Sequence, residues 1–257
     1  MKDYPAVIKK MAGDAGLGEV VDRYRQSVLV EMELFFSFAG LGLVGLLFGD
    51  DVGRTIGAVF CGLASPWALI AWVRARMYLY LCSDGLLTTS SKTTLRILCA
   101  WEDVAYIRLW TTRIYQIGPF EDFQRCILVL EDGMKLDLGR PSYAKGEDLI
   151  AAVEERMAAT IYPRRAAEIS ELGDADFDQI IVTADGIRDG DRFVSWSAIT
   201  GMKRGRVRLR IWSGPGRPVI SRKVKWIPDI KVLQTLISEG VQRARAQGAG
   251  ARRQDWG

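Results

Sequence analysis

Two long apolar runs stand close together near the start of the chain. Residues 34–49 ("LFFSFAGLGLVGLLFG") carry no charge, and residues 55–73 are uncharged between Arg54 and Arg74. A helix rises about 1.5 Å per residue, so about 20 residues cross a hydrocarbon core of about 30 Å. The second run meets that length. The first meets it once extended upstream through "SVLVEME", which puts Glu31 and Glu33 at headgroup level. Only "DDVG" separates the runs, so the pattern predicts a tight transmembrane helical hairpin over residues 28–74. Gly42, Gly45, Gly49, Gly53, Gly57 and Gly62 would let the two backbones approach closely. Trp67 falls inside the second run, while Trp72, Tyr78 and Tyr80 cluster near its end as an interfacial belt would. Pro66 predicts a kink.

After Arg76 the period changes to short apolar runs punctuated by turn residues. "MYLYLC", "LLTT", "LRILCA", "VAYIRLW", "RIYQIG", "QRCILVL" and "MKLDL" read as seven strands. Turns fall at Asp84 with Gly85, at Ser90 to Lys92, at Gly118 with Pro119, and at Asp132 with Gly133. Asp-Gly between apolar runs is a hairpin signal, because glycine supplies the positive φ of primed turns. A helix follows from Ser142 or Tyr143 to about Thr160, with Leu149, Ile150, Val153 and Met157 on one face. Residues 162–176 read as a charged connector, with a short helix ended by Gly173 as the alternative. The plan then recurs in "FDQIIVT", "DRFVSW", "ITGMK", "RVRLRIW" and "PVISRKVKW". A closing helix starts near Pro228 with Ile230, Leu233, Leu236, Ile237 and Val241 as its stripe. Both stretches contain Asp-Gly-apolar and then a tryptophan, Trp101 or Trp196, with Val104 or Ile199 three residues on.

The expected class is therefore α+β with a transmembrane helical hairpin. Two barrel-like or bent-sheet units follow, each closed by a C-terminal helix. The boundaries are 1–27 for an N-terminal cytoplasmic segment, 28–74 for the hairpin, 77–161 for the first unit, 162–176 for the connector and 177–245 for a shorter second unit. Residues 246–257, polar and rich in Gly and Ala, read as a disordered tail. The "LGEVVDRYRQS" lead-in, the apolar hairpin, the "DG…W" units and the "RKVKWIPDIKVLQTLI" ending resemble an uncharacterised bacterial family of two-span membrane proteins with pleckstrin-homology-like (PH-like) domains. That resemblance implies PH-like units and a bacterial inner membrane, but no activity.

Charge adds orientation. Lys9, Lys10, Arg23 and Arg25 precede the spans and Arg74 and Arg76 follow them, whereas the connecting loop holds Asp50 and Asp51 against Arg54. The positive-inside rule puts both termini in the cytoplasm. A signal peptide is not expected, since the apolar run begins late and no small-residue cleavage site follows.

Composition bears on chemistry chiefly by exclusion. The 257 residues include no histidine, and the four cysteines (Cys61, Cys82, Cys99, Cys126) form no Cys-x-x-Cys pair. No metal, cofactor or catalytic site is expected, since the usual zinc ligands and histidine bases are missing. The acidic pairs at residues 50–51, 102–103, 121–122 and 131–132 sit where turns or strand ends are expected. Net charge is only +4, yet nine basic residues and no acidic one lie from Lys203 to Lys225.

In that run Arg206, Arg208 and Arg210 alternate with Val207, Leu209 and Ile211, so a strand would present the arginines on one face and the apolar residues to the core. Lys203, Arg204, Arg222, Lys223 and Lys225 complete the candidate contact surface for an anionic lipid or a protein partner. Each basic residue near an anionic leaflet is worth about 1 kcal/mol. The plain alternative is a solvated strand face. Phosphoinositide binding is not expected, because "SDGLLTTSSK" and "ADGIRDGDR" gather no cation cluster. Nucleic acid is not expected either: Trp196, Trp212 and Trp226 read as core rather than stacking platforms. The expected function is a membrane-anchored, non-catalytic protein binding a partner or anionic membrane surface. A membrane-bound enzyme with an unfamiliar site, or a subunit of a larger membrane complex, is the alternative.

Overall fold

The computed structural model describes residues 4–89, 95–114, 121–139 and 143–254. The chain divides into two compact units. One runs to Ala100 and adds the short segment ending at Gly146; the other begins at Trp101 and resumes at Glu147. The division falls inside the stretch 77–161, between Ala100 and Trp101. The described residues form a mixed α+β fold of five α-helices and several small antiparallel sheets.

The first unit starts with helix α1 (Ala6–Asp14) and strand β1 (Val20–Arg25). Helices α2 (Leu29–Phe48) and α3 (Asp51–Arg74) follow, then β2 (Tyr78–Cys82), β3 (Gly85–Thr89) and β4 (Leu95–Ala100). The sheet order is β1-β2-β3-β4. Arg25 lies opposite Tyr78, so the helical hairpin is an insertion in the loop between two neighbouring strands. The Gln26 N–H donates to the Met77 carbonyl at 3.3 Å and closes the base of that insertion. Strand β1 lies within the N-terminal segment 1–27, and its pairing with β2 across the long insertion leaves no local sequence mark. Ile8 and Ala12, four residues apart, give α1 a buried face that packs with Tyr4, Leu17, Tyr80, Cys82 and Leu87. The Tyr4 and Tyr80 rings meet edge to face at 6.5 Å.

Helices α2 and α3 are long and apolar enough to cross a membrane. Asp50 caps α3 by accepting the Gly53 N–H at 2.8 Å. The helices touch backbone to backbone: a Cβ on Gly45 would lie 2.9 Å from the Gly53 carbonyl oxygen, and one on Gly57 would lie 2.7 Å from that of Gly42. Pro66 cannot donate to the Gly62 carbonyl, and the Ser65 hydroxyl takes that acceptor at 2.8 Å. The outward faces expose Phe36, Leu47, Phe48, Val59 and Leu69. Glu31 is buried and ion-paired with Arg74, whereas Glu33 is exposed.

In the second unit β5 (Val104–Ile114), β6 (Glu121–Leu130) and β7 (Lys135–Asp137) form one sheet, and α4 (Gly146–Leu172) follows. Strands β8 (Asp174–Asp176), β9 (Ile181–Thr183), β10 (Gly186–Asp189) and β11 (Arg192–Ser195) form a second sheet in the order β11-β10-β9-β8. Strands β12 (Gly201–Arg204), β13 (Arg208–Trp212) and β14 (Ile220–Lys223) form a third, and α5 (Ile230–Gln254) ends the unit. The expected helix stripes are buried: Leu149, Ile150, Val153 and Met157 on α4, and Ile230, Leu233, Leu236, Ile237 and Val241 on α5.

Several expectations change. No closed barrel forms among the described residues. At Trp196 the chain enters a single 3-10 turn, after which β12 pairs with β13 rather than β11. "VAYIRLW" continues through Thr111 and Thr112 to Ile114 as one strand, and the rest of "RIYQIG", residues 115–118, lies outside the described residues. The stretch from Phe177 read as five strands holds six, and β8 adds another within the expected connector. Phe177 N–H to Ile180 carbonyl closes a turn between β8 and β9, and "GIRD" is a strand of its own. Helix α4 continues through Pro163 to Leu172 where a connector was expected, and Gly173 ends it at φ +91°. Helix α5 starts at Ile230, not Pro228, and continues to Gln254 through part of the expected tail, where Ala, Arg and Gln favour helix. Gly85 and Gly186 lack positive φ. They are glycines because a Cβ would collide with the carbonyl of Cys99 or of Val194 on the neighbouring strand. The expected turns at Ser90 to Lys92 and at Gly118 with Pro119 lie outside the described residues.

Candidate functional site

The basic run folds onto the β12-β13-β14 sheet, and the register sorts its cations by face. Directly opposed residues of an antiparallel pair share a face. Lys203 stands opposite Arg210 and Arg210 opposite Ser221, while Arg208 stands opposite Lys223. These four cations are exposed on one face. The other face carries buried Leu209 and Ile211, with Arg204 and Arg222 flanking Leu209 in the same row.

Burial dictates what happens on the core face. A cation partly removed from water needs a counter-charge. Arg204 donates to Glu154 on α4 at 2.6 Å, and Arg222 donates to Asp189 on β10 at 2.8 Å. The Asp189 carboxylate raises the Arg222 pKa. Neither arginine is free for an external anion. Arg206 departs from the expected alternation. The Gly205 N–H donates to the Arg208 carbonyl at 2.9 Å, so residues 205–207 form the β12 to β13 turn and the strand's phase starts at Arg208. Arg206 instead pairs with Asp122 at 2.6 Å. Val207, expected in the core, is 62% exposed.

On the outward face the balance differs. Among the described residues, Lys203, Arg208, Arg210, Lys223 and Lys225 have no acidic partner. Arg208 donates to the Ser221 carbonyl at 3.0 Å, which orders its guanidinium without neutralising it. Lys203 against Arg210 and Arg208 against Lys223 are cross-strand pairs of like charge, an arrangement that costs stability in the absence of an anion. Lys225 sits 4.5 Å from the Trp226 ring centre. Trp226 is 42% exposed, not core, because it ends a 3-10 turn at the surface. Trp196 is buried as expected, with its indole N–H on the Ala184 carbonyl at 2.8 Å.

A buried polar cluster escaped the sequence reading. Asp229, at φ +47°, accepts the Ile107 N–H at 2.9 Å and an Arg165 N–H at 3.4 Å. Burial pushes its carboxyl up to about 6, against the lowering effects of Ile107 and Arg165. The only hint in sequence was an aspartate inside the apolar "WIPDI". Members of the acidic pairs serve as structural partners: Asp132 accepts the Met134 N–H, Glu131 pairs with Arg164, and Asp122 with Arg113. Burial raises the Cys126 thiol far above the usual range. No group of three or more potential metal ligands occurs among the described residues.

These features define an α+β chain with two helices able by length and composition to span a membrane, and with a cationic sheet face on its second unit. The chain belongs to a family of unknown function (DUF6585), which matches residues 2–246. No curated protein and no solved structure matches it significantly.

Proposed function

We propose that this chain is a membrane-anchored, non-catalytic protein of the bacterial inner membrane, with both termini cytoplasmic, that docks its basic sheet face on an anionic membrane surface. The anchor is the α2 and α3 hairpin, tied into a sheet at both ends. Two PH-like units provide the scaffold. The support for two such units is an order of four strands, three strands and one helix that occurs twice along the chain, with the hairpin filling one inter-strand loop.

The observation that carries the docking role is the pair of opposed like-charge couples, Lys203 with Arg210 and Arg208 with Lys223, left without acidic partners while the core-face arginines are paired. Anionic lipid would remove the repulsion and add about 1 kcal/mol per cation. The test is lysine acylation of the full chain in phosphatidylcholine vesicles with and without phosphatidylglycerol. Lys203 and Lys223 should be protected in the anionic vesicles at low salt and react freely at high salt. Equal reactivity in both vesicle types overturns the reading.

A further inference from the structure

Charge alone holds a protein loosely over a bilayer, and the cationic face has apolar neighbours with no role in the core. Val207, at the tip of the β12 to β13 turn, is 62% exposed, and Trp226 is 42% exposed. Single exposed apolar side chains are ordinary on protein surfaces. These two belong to adjoining segments, because the Val224 N–H donates to the Val207 carbonyl at 2.9 Å. Cations surround them in sequence: Arg206 and Arg208 flank Val207, and Lys225 precedes Trp226 with its ammonium 4.5 Å from the ring centre. Of these, only Arg206 has an acidic partner, Asp122, whose carboxyl is held low by the hydrogen bond from Arg113 and by the nearby arginines.

Building on the reading above, we propose that Val207 and Trp226 form a shallow insertion tip that seats the β12-β13-β14 sheet in the headgroup layer of an anionic bilayer. An indole is suited to that layer, with an apolar body and a polar N–H. Lysine and arginine stems extend along apolar surface while their heads stay at the phosphates. Two apolar side chains are far too few for a stable protein–protein interface, which needs about 20–30 residues a side. They suffice for lipid because a chain tethered to the bilayer docks intramolecularly, where a weak contact is amplified by effective concentration. The absence of any acidic residue from Lys203 to Lys225 favours the same occupant.

The test places an environment-sensitive fluorophore on Val207→Cys in the full chain, with the unsubstituted chain as the labelling blank for Cys61, Cys82, Cys99 and Cys126. The protein is reconstituted in phosphatidylcholine vesicles with and without phosphatidylglycerol. The expected result is a blue shift, loss of quenching by aqueous iodide and gain of quenching by acyl-chain nitroxide lipid, all confined to the anionic vesicles. Trp226→Cys, labelled in the same way, should report the same environment. A probe that stays aqueous while Lys203 and Lys223 remain protected overturns insertion and leaves electrostatic docking standing. A probe that stays aqueous with both lysines reactive overturns both. A blue shift that ignores phosphatidylglycerol but grows with protein density identifies a second copy of the chain as occupant and overturns the proposal.

Discussion

Asp229 and Ile107 hold each other by two hydrogen bonds. The Ile107 N–H donates to Asp229 Oδ1 at 2.9 Å, and the Asp229 N–H donates to the Ile107 carbonyl at 2.8 Å. The two residues lie 122 positions apart. Their contact, with the bridge between Arg108 and Pro228, joins β5 to the start of α5. Asp229→Ala should therefore cost about 2–4 kcal/mol, since it strands a buried N–H and removes one of the two carboxylates, with Glu168, that Arg165 pairs with. Asp229→Asn keeps an acceptor for Ile107 and should cost less. Denaturant unfolding of the full chain in detergent, followed in the second unit, measures the difference.

The same carboxyl makes stability depend on pH. Its folded value of about 6 exceeds the ordinary 3.8, with burial the main cause. The folded state therefore binds a proton in a window where the unfolded chain does not. That contribution is fully present below pH 3.8 and is lost as pH rises through about 6. Relative to Asp229→Asn, the native chain should gain about 2 kcal/mol between pH 7 and pH 4. A stability difference between the two proteins that stays flat over that range refutes the assignment.

Gly240 on α5 supports the tryptophan of the second strand set. A Cβ there would lie 2.6 Å from Trp196 Cδ2, against the face of a buried indole. Gly240→Ala should lower stability by about 1–3 kcal/mol through overpacking, despite the better helix propensity of alanine. The double variant Gly240→Ala with Trp196→Phe should recover part of the loss, because the smaller ring withdraws from the added methyl. Thermal unfolding of the three proteins distinguishes this from a propensity effect, which would raise the Tm.

Glu31 and Arg74 form an ion pair that joins the two chain ends of the helical hairpin. Glu31→Arg should reduce the yield of folded protein, and Arg74→Glu should do the same. The exchanged pair, Glu31→Arg with Arg74→Glu, should recover most of it, with a coupling energy of about 1 kcal/mol or more. Additive losses in the double variant would mean that the two residues act separately. Glu33, which is exposed, should tolerate Gln with little effect.

Much of the fold was legible because its signals are local. The buried stripes of α4 and α5 follow the helical period, and the apolar lengths of α2 and α3 mark two candidate spans whatever surrounds them. Trp101 and Trp196, read as core positions, are both buried. Other local signals were overridden. Alternation predicted Arg206 and Val207 as strand positions, but the turn closed by Gly205 and Arg208 set a different phase. The helix was expected to end near Thr160, yet α4 continues through Pro163 to Leu172, with Ile161 buried on the core face.

What the amino-acid order determined by itself was the inventory: two apolar helices, strand-rich stretches closed by amphipathic helices, no histidine chemistry and one run of cations. Each of these depends on residues near one another along the chain. The tertiary structure decided the long-range pairings. It set β1 beside β2 across the whole helical hairpin, with Arg25 opposite Tyr78. It hooked Asp229 to Ile107. It also divided the basic run, turning Arg204 and Arg222 inward to Glu154 and Asp189 and leaving Lys203, Arg208, Arg210 and Lys223 outward. The reason is physical: whether a charge is paired depends on which distant carboxylate the packing brings within about 3 Å, and a strand's own sequence carries no record of that neighbour.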